Sequence, residues 1–110
     1  MKCYKMTIAV GTGYTKAGMP LSQKDVDIAL GRFADKLSAI AGGYTMHNAL
    51  GGYTHDDGHG VTEKSRVFTV TVWDGNKVLD VRRACEKVRD ALQQESVYFD
   101  LVELKEAMFI

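Results

Sequence analysis

The sequence is poor in the residues that usually fix a protein's chemistry. Among its 110 residues there is one proline, Pro20, and two cysteines, Cys3 and Cys85. The cysteines lie far apart and match no metal-ligand spacing, so they read as reduced thiols packed as small hydrophobes. No apolar run approaches the ~20 residues of a bilayer-spanning helix. Net charge is also missing: 14 Lys+Arg balance 14 Asp+Glu. That excludes a nucleic-acid protein relying on a bulk positive field. Repeats, low-complexity tracts and linkers are absent, so a single domain over residues 1–110 is expected. The opening residues Met1–Met6 lack an apolar leader core, which predicts a soluble cytoplasmic protein. What is present is an ordinary globular balance, 45% hydrophobic and 25% charged, which excludes disorder of the whole chain.

Periodicity supplies the elements. Tyr4 to Val10 sets Tyr4, Met6, Ile8 and Val10 against Lys5, Thr7 and Ala9, a strand with a period of two. Ser22-Gln23-Lys24-Asp25 is a capping pattern. Behind it Val26, Leu30, Phe33, Leu37 and Ile40 recur at steps of three and four, an amphipathic helix stopped by Gly42-Gly43. Tyr44 to Leu50 reads as a short strand, Gly51 to Gly60 as a polar loop, and Arg66 to Trp73 as a strand. Val78, Val81, Cys85, Val88 and Leu92 mark a second amphipathic helix, and Val97 to Leu104 a last strand.

The order βαββαβ, with short right-handed connections, predicts an α+β ferredoxin-like sandwich: an antiparallel sheet with two helices on one face. Both sheet faces carry apolar residues. Val67 and Trp73 oppose Phe68, Val70 and Val72; Tyr98, Val102 and Leu104 oppose Val97, Phe99 and Leu101. The face without helices needs a cover, and other copies of the same chain are the expected one. A homo-oligomer follows.

Four segments could carry chemistry. His55-Asp56-Asp57-Gly58-His59 offers imidazoles and carboxylates, but in no established metal spacing, and a solvated loop is the expected reading. The backbone amides of Gly11-Thr12-Gly13-Tyr14 could hold an anion or form a plain turn. Tyr53 and Glu63 flank the glycine-rich loop, whose return could bring phenol and carboxylate together as a polar clamp. Gln93-Gln94-Glu95-Ser96 is either a polar helix end or a set of amide and hydroxyl groups beside a ligand.

Several of these segments recur in a known order. Tyr4-x-Met6-x-Ile8-Ala9-Val10, then Gly51-Gly52-Tyr53, then Thr62-Glu63-Lys64, then Gln94-Glu95-Ser96-Val97 together resemble the phage-encoded S-adenosylmethionine lyases, formerly described as hydrolases. The last two elements also resemble a broader set of small bacterial proteins of unassigned function. The first resemblance implies a ferredoxin-like homotrimer with active sites between subunits. It implies cleavage of S-adenosylmethionine to methylthioadenosine and homoserine lactone, with no metal or cofactor, and with neither nucleic acid nor membrane as partner. By position it assigns the key tyrosine to Tyr53, the key glutamate to Glu63 and a third site residue to Gln94, with Ser96 beside it. The resemblance departs at the C-terminus, where this sequence is shorter than the family's pattern, and substrate contacts borne by that part are not carried over. The alternative is a non-catalytic trimer that holds a nucleotide-like ligand or blocks a host protein.

The implied chemistry needs few protein groups. A sulfonium leaves as a neutral thioether, and the substrate's own carboxylate can close a five-membered lactone. Placement of the two ends could supply about 7–11 kcal/mol. A carboxylate against the sulfonium would stabilise the reactant more than the transition state. Glu63 is therefore expected to orient Tyr53 or the substrate ammonium, and the Gly11–Tyr14 turn to hold the substrate carboxylate.

Overall fold

The structure, a computed structural model, describes residues 2–54 and 56–110. It contains β1 (Cys3–Gly11), α1 (Gln23–Ala41), β2 (Thr45–Thr54), β3 (Gly60–Val72), α2 (Gly75–Ala91) and β4 (Tyr98–Leu104). The sheet order is β2-β3-β1-β4 and every neighbouring pair is antiparallel. This is the expected ferredoxin-like sandwich. Each β-α-β passage skips one strand position, which leaves β1 and β3 in the centre.

Local chemistry starts and stops the helices. The Ser22 hydroxyl accepts from the Asp25 amide at 3.1 Å, capping α1. Gly42, at φ +82°, ends α1 in the left-handed region and donates to the Ser38 carbonyl. The Asp74 side chain accepts from the Asn76 amide and caps α2. The two helical stripes lie on the even-numbered face of the central strands. Met6, Ile8 and Val10 of β1 and Phe68, Val70 and Val72 of β3 are all buried there. Phe33 of α1 meets Phe68 edge-on, with ring centroids 5.0 Å apart.

The other face is open. β1 presents Lys5, Thr7 and Ala9 on it, aligned with Val67, Thr69 and Thr71 of β3 and with Tyr98, Asp100 and Val102 of β4. Its chemistry is mixed: Tyr98 is 58% and Val102 52% exposed, while the Tyr98 hydroxyl donates to Asp100. At one end Phe109 packs on Trp73 with centroids 6.0 Å apart. Among the described residues no helix is long and apolar enough to cross a membrane.

One expectation is corrected. Gly51–Thr54 and Gly60 are strand and not loop: β2 runs to Thr54 and β3 begins at Gly60, with an unbroken ladder between the two strands, while residues 56–59 lie outside them as turn. Tyr53 and Glu63 therefore lie within strands. Glycine weakens a strand, but cross-strand pairing of its backbone with β3 overrides that preference. The pairing also outruns β1, which ends opposite Ser65, so the far part of the β2–β3 hairpin is a two-stranded arm.

Candidate functional site

The site begins where β1 ends. Beyond Gly11 the chain turns, and the Thr12 amide and hydroxyl both donate to the Lys64 carbonyl, at 2.9 and 3.1 Å. That ties the turn to β3. The next two amides, of Gly13 and Tyr14, both donate to Glu63 Oε2 at 3.1 Å. The turn does gather anion-binding donors, as its glycines suggest. The anion they hold is a carboxylate of the chain itself, not an open place for a ligand carboxylate. Thr12 faces Lys64 and not the cavity, so the role expected of this turn is corrected: it anchors Glu63.

Glu63 reaches the turn because of Gly11. Both residues sit on the open face, and Gly11 lies opposite Ser65, two residues along from Glu63. A Cβ on Gly11 would stand 2.6 Å from Glu63 Oε1 and 2.8 Å from Gln94 Oε1. The missing methyl group makes room for both oxygens.

Gln94 comes from the other side. After the Leu92 C-cap, Gln93 adopts φ +49°, and this left-handed residue turns the chain so that Gln94 points inward. Its Nε2 donates to the carbonyls of Tyr14, at 2.8 Å, and Leu92, at 3.1 Å. With the nitrogen committed, Oε1 lies over Gly11 beside Glu63 Oε1. Glu63 and Gln94 are both buried, at 7% and 9% exposure. Two acceptor oxygens thus converge on one point.

Tyr53 pairs with Val61, and Gly51 with Glu63. Tyr53 and Glu63 are therefore diagonal neighbours on one face of the arm, within reach for an aromatic side chain. The Tyr53 phenol and the Glu63 carboxylate are close enough for their side chains to interact. Desolvation raises the Tyr53 pKa above the ordinary phenol value; the charges of Glu63 and Glu95 and the side-chain interaction with Glu63 add to this. Tyr53 is thus a neutral donor at physiological pH.

These groups line a cavity of about 350 Å³ between the end of β1, the hairpin arm and the α2–β4 connection. Among solved structures, a phage SAM lyase in complex with S-methyl-5′-thioadenosine matches this chain with a TM-score of 0.71 at 20% identity, over 92% of this chain and 81% of that one. The chain has the fold of that lyase. A phage SAM lyase in the apo state matches with a TM-score of 0.65 at 22% identity, over 91% of this chain and 79% of that one. CutA from Archaeoglobus fulgidus, a periplasmic divalent cation tolerance protein, matches with a TM-score of 0.61 at 11% identity, over 98% and 88%. No family model and no curated protein sequence matches.

On this fold the residues named from sequence divide cleanly. Gly11, Tyr14, Tyr53, Glu63, Gln94 and Ser96 line the cavity, whereas Thr12 and Gly13 stand behind it. Sequence reasoning missed Lys16, Ser65 and a cavity-facing place for Glu95. An exposed lysine in a loop carries no pattern; only the β3 register reveals Ser65 beside Gly11. In the His55–His59 segment, His55 lies outside the described residues, and the His59 amide donates to Asp57 at 2.8 Å. Among the described residues no group of three or more His, Cys, Asp or Glu side chains is placed to hold a metal ion. A larger space of about 680 Å³ between the helices, around Ile28, Phe33 and Val88, takes in only Gln93 from the four candidate segments.

Proposed function

We propose that the protein is an S-adenosylmethionine lyase. The carrying observation is the convergence of Tyr53, Glu63 and Gln94 in one cavity, on a fold like that of the phage SAM lyases. The charge balance of the cavity supports the reading. Its lining holds two carboxylates, Glu63 and Glu95, and one ammonium, Lys16. The substrate carries a sulfonium, an ammonium and a carboxylate, a net cation.

The chemistry is an internal displacement. A substrate carboxylate oxygen attacks its γ-carbon, the carbon–sulfur bond breaks, and the electron pair stays on sulfur. The products are neutral methylthioadenosine and homoserine lactone. No proton changes hands, so the protein's task is placement and exclusion of water. Glu63 Oε1 and Gln94 Oε1 together suit an ammonium, which has three donors and no acceptor. That ammonium keeps its charge throughout, so binding it does not favour the reactant over the transition state. Glu63 is tied back by the Gly13 and Tyr14 amides, and Tyr53 faces it from the arm. Both ties fix the carboxylate in the geometry that orients the substrate. The assembly proposed is a homotrimer, its open sheet faces inward and the cavity closed by a neighbouring copy, acting without cofactor in the host cytoplasm.

Incubating the purified protein with S-adenosylmethionine should yield methylthioadenosine and homoserine lactone by chromatography. Absence of both products from folded protein rejects the proposal. Tyr53→Phe and Glu63→Gln should each slow turnover, by as much as about a hundredfold where placement of the reacting atoms is lost. Unchanged rates in both variants would remove these residues from the mechanism.

A further inference from the structure

With the Gly13 and Tyr14 amides bonded to Glu63, the substrate's carboxylate needs another partner. The geometry points to Lys16 as the residue that recognises it, which makes Lys16 a specificity determinant for ligands bearing a free α-carboxylate. This inference rests on the lyase reading of the cavity.

Lys16 is the cation lining the cavity, among side chains otherwise neutral or acidic. Its backbone is fixed: its amide donates to the Gln93 carbonyl at 2.8 Å. The preceding residue is held as well, since the Thr15 amide donates to Met19, and Gly18 donates back to Thr15, at 2.8 Å each. The neighbouring Tyr14 carbonyl accepts from Gln94. Lys16 therefore springs from the same bonded junction that positions Gln94. Among the described residues its ammonium has no ion-pair partner.

Charge then orders the amino-acid end of a ligand. Glu63 and Gln94 present acceptor oxygens over Gly11, where an ammonium fits. Lys16 lines the cavity from the loop side, and its ammonium carries the charge that suits a carboxylate. A flexible, hydrated ammonium at the rim holds a carboxylate weakly. Weak holding suits a group that must attack carbon, because a tight ion pair would be lost as the negative charge disappears in the transition state.

Calorimetry separates the two ends of the ligand. S-adenosylhomocysteine keeps the amino-acid end without the reactive sulfonium; methylthioadenosine lacks that end. Lys16→Met should weaken S-adenosylhomocysteine about twofold to fivefold, the range for an exposed ion pair. Lys16→Glu should weaken it further and Lys16→Arg should restore it, while methylthioadenosine binds all forms alike. In turnover of S-adenosylmethionine, the loss in Lys16→Met should fall on KM more than on kcat. Equal losses for both ligands, or no loss for either, overturn the assignment. Wild-type binding of both ligands without turnover rejects the lyase reading and leaves the Lys16 assignment to the calorimetric comparison. Failure of the wild type to bind either ligand rejects both.

Discussion

At Gly11, one absent methyl group sets the floor of the cavity. The oxygens of Glu63 and Gln94 occupy the space a side chain would take. Gly11→Ala should push both away, because contacts of 2.6 and 2.8 Å to a carbon cannot persist. The fold should survive, since the atoms displaced are the ends of side chains. Circular dichroism should show an unchanged spectrum while the proposed lyase turnover falls at least tenfold, by loss of substrate placement. Activity equal to wild type would mean that the two oxygens do not grip the substrate. That Tyr53, Glu63 and Gln94 are candidate site residues was legible in the sequence, because their segments resemble those of the phage lyases. The partner of the Gly13 and Tyr14 amides was not legible. A glycine turn announces donors, but only the β3 register says which acceptor reaches them.

At the scale of elements, the helices and central strands were readable because each has one apolar face with an unmistakable period. β1, α1 with its Ser22 cap, and α2 follow that pattern closely. The distal half of β2 escaped because Gly51 and Gly52 carry no side chain to alternate, and the ladder is set by the partner strand. The end of α2 is another place where context overrides preference. Gln93 holds φ +49°, a conformation costly for a residue with a Cβ. Gln93→Gly should relieve this and raise stability by up to about 1 kcal/mol, less the greater freedom glycine gives the unfolded chain. A melting temperature higher by a few degrees is the expected reading. A lower one would show that the Gln93 side chain, which lines the space between the helices, contributes more than its backbone costs.

At the scale of the molecule, the helices cover one face of the sheet and leave Tyr98, Val102 and Trp73 on or beside the other. A 110-residue chain buries a modest share of its surface, and association of open faces would add to it. Light scattering at micromolar concentration should give a mass near three times the 12.2 kDa of one chain. A mass of one chain would overturn the trimeric assembly proposed here. The net charge of zero suits close packing of like copies, since no long-range repulsion opposes it.

Glu63 faces two ways, and that shapes how it can be probed. One of its oxygens is knotted to the strand-exit turn through the Gly13 and Tyr14 amides; the other looks over Gly11. An alanine there would untie the turn and strip the pocket in the same stroke, so loss of the proposed activity would be uninterpretable. Glutamine keeps an acceptor for the knot while it removes the charge and replaces the oxygen over Gly11 with an amide donor, which confines the change to the side that faces the cavity.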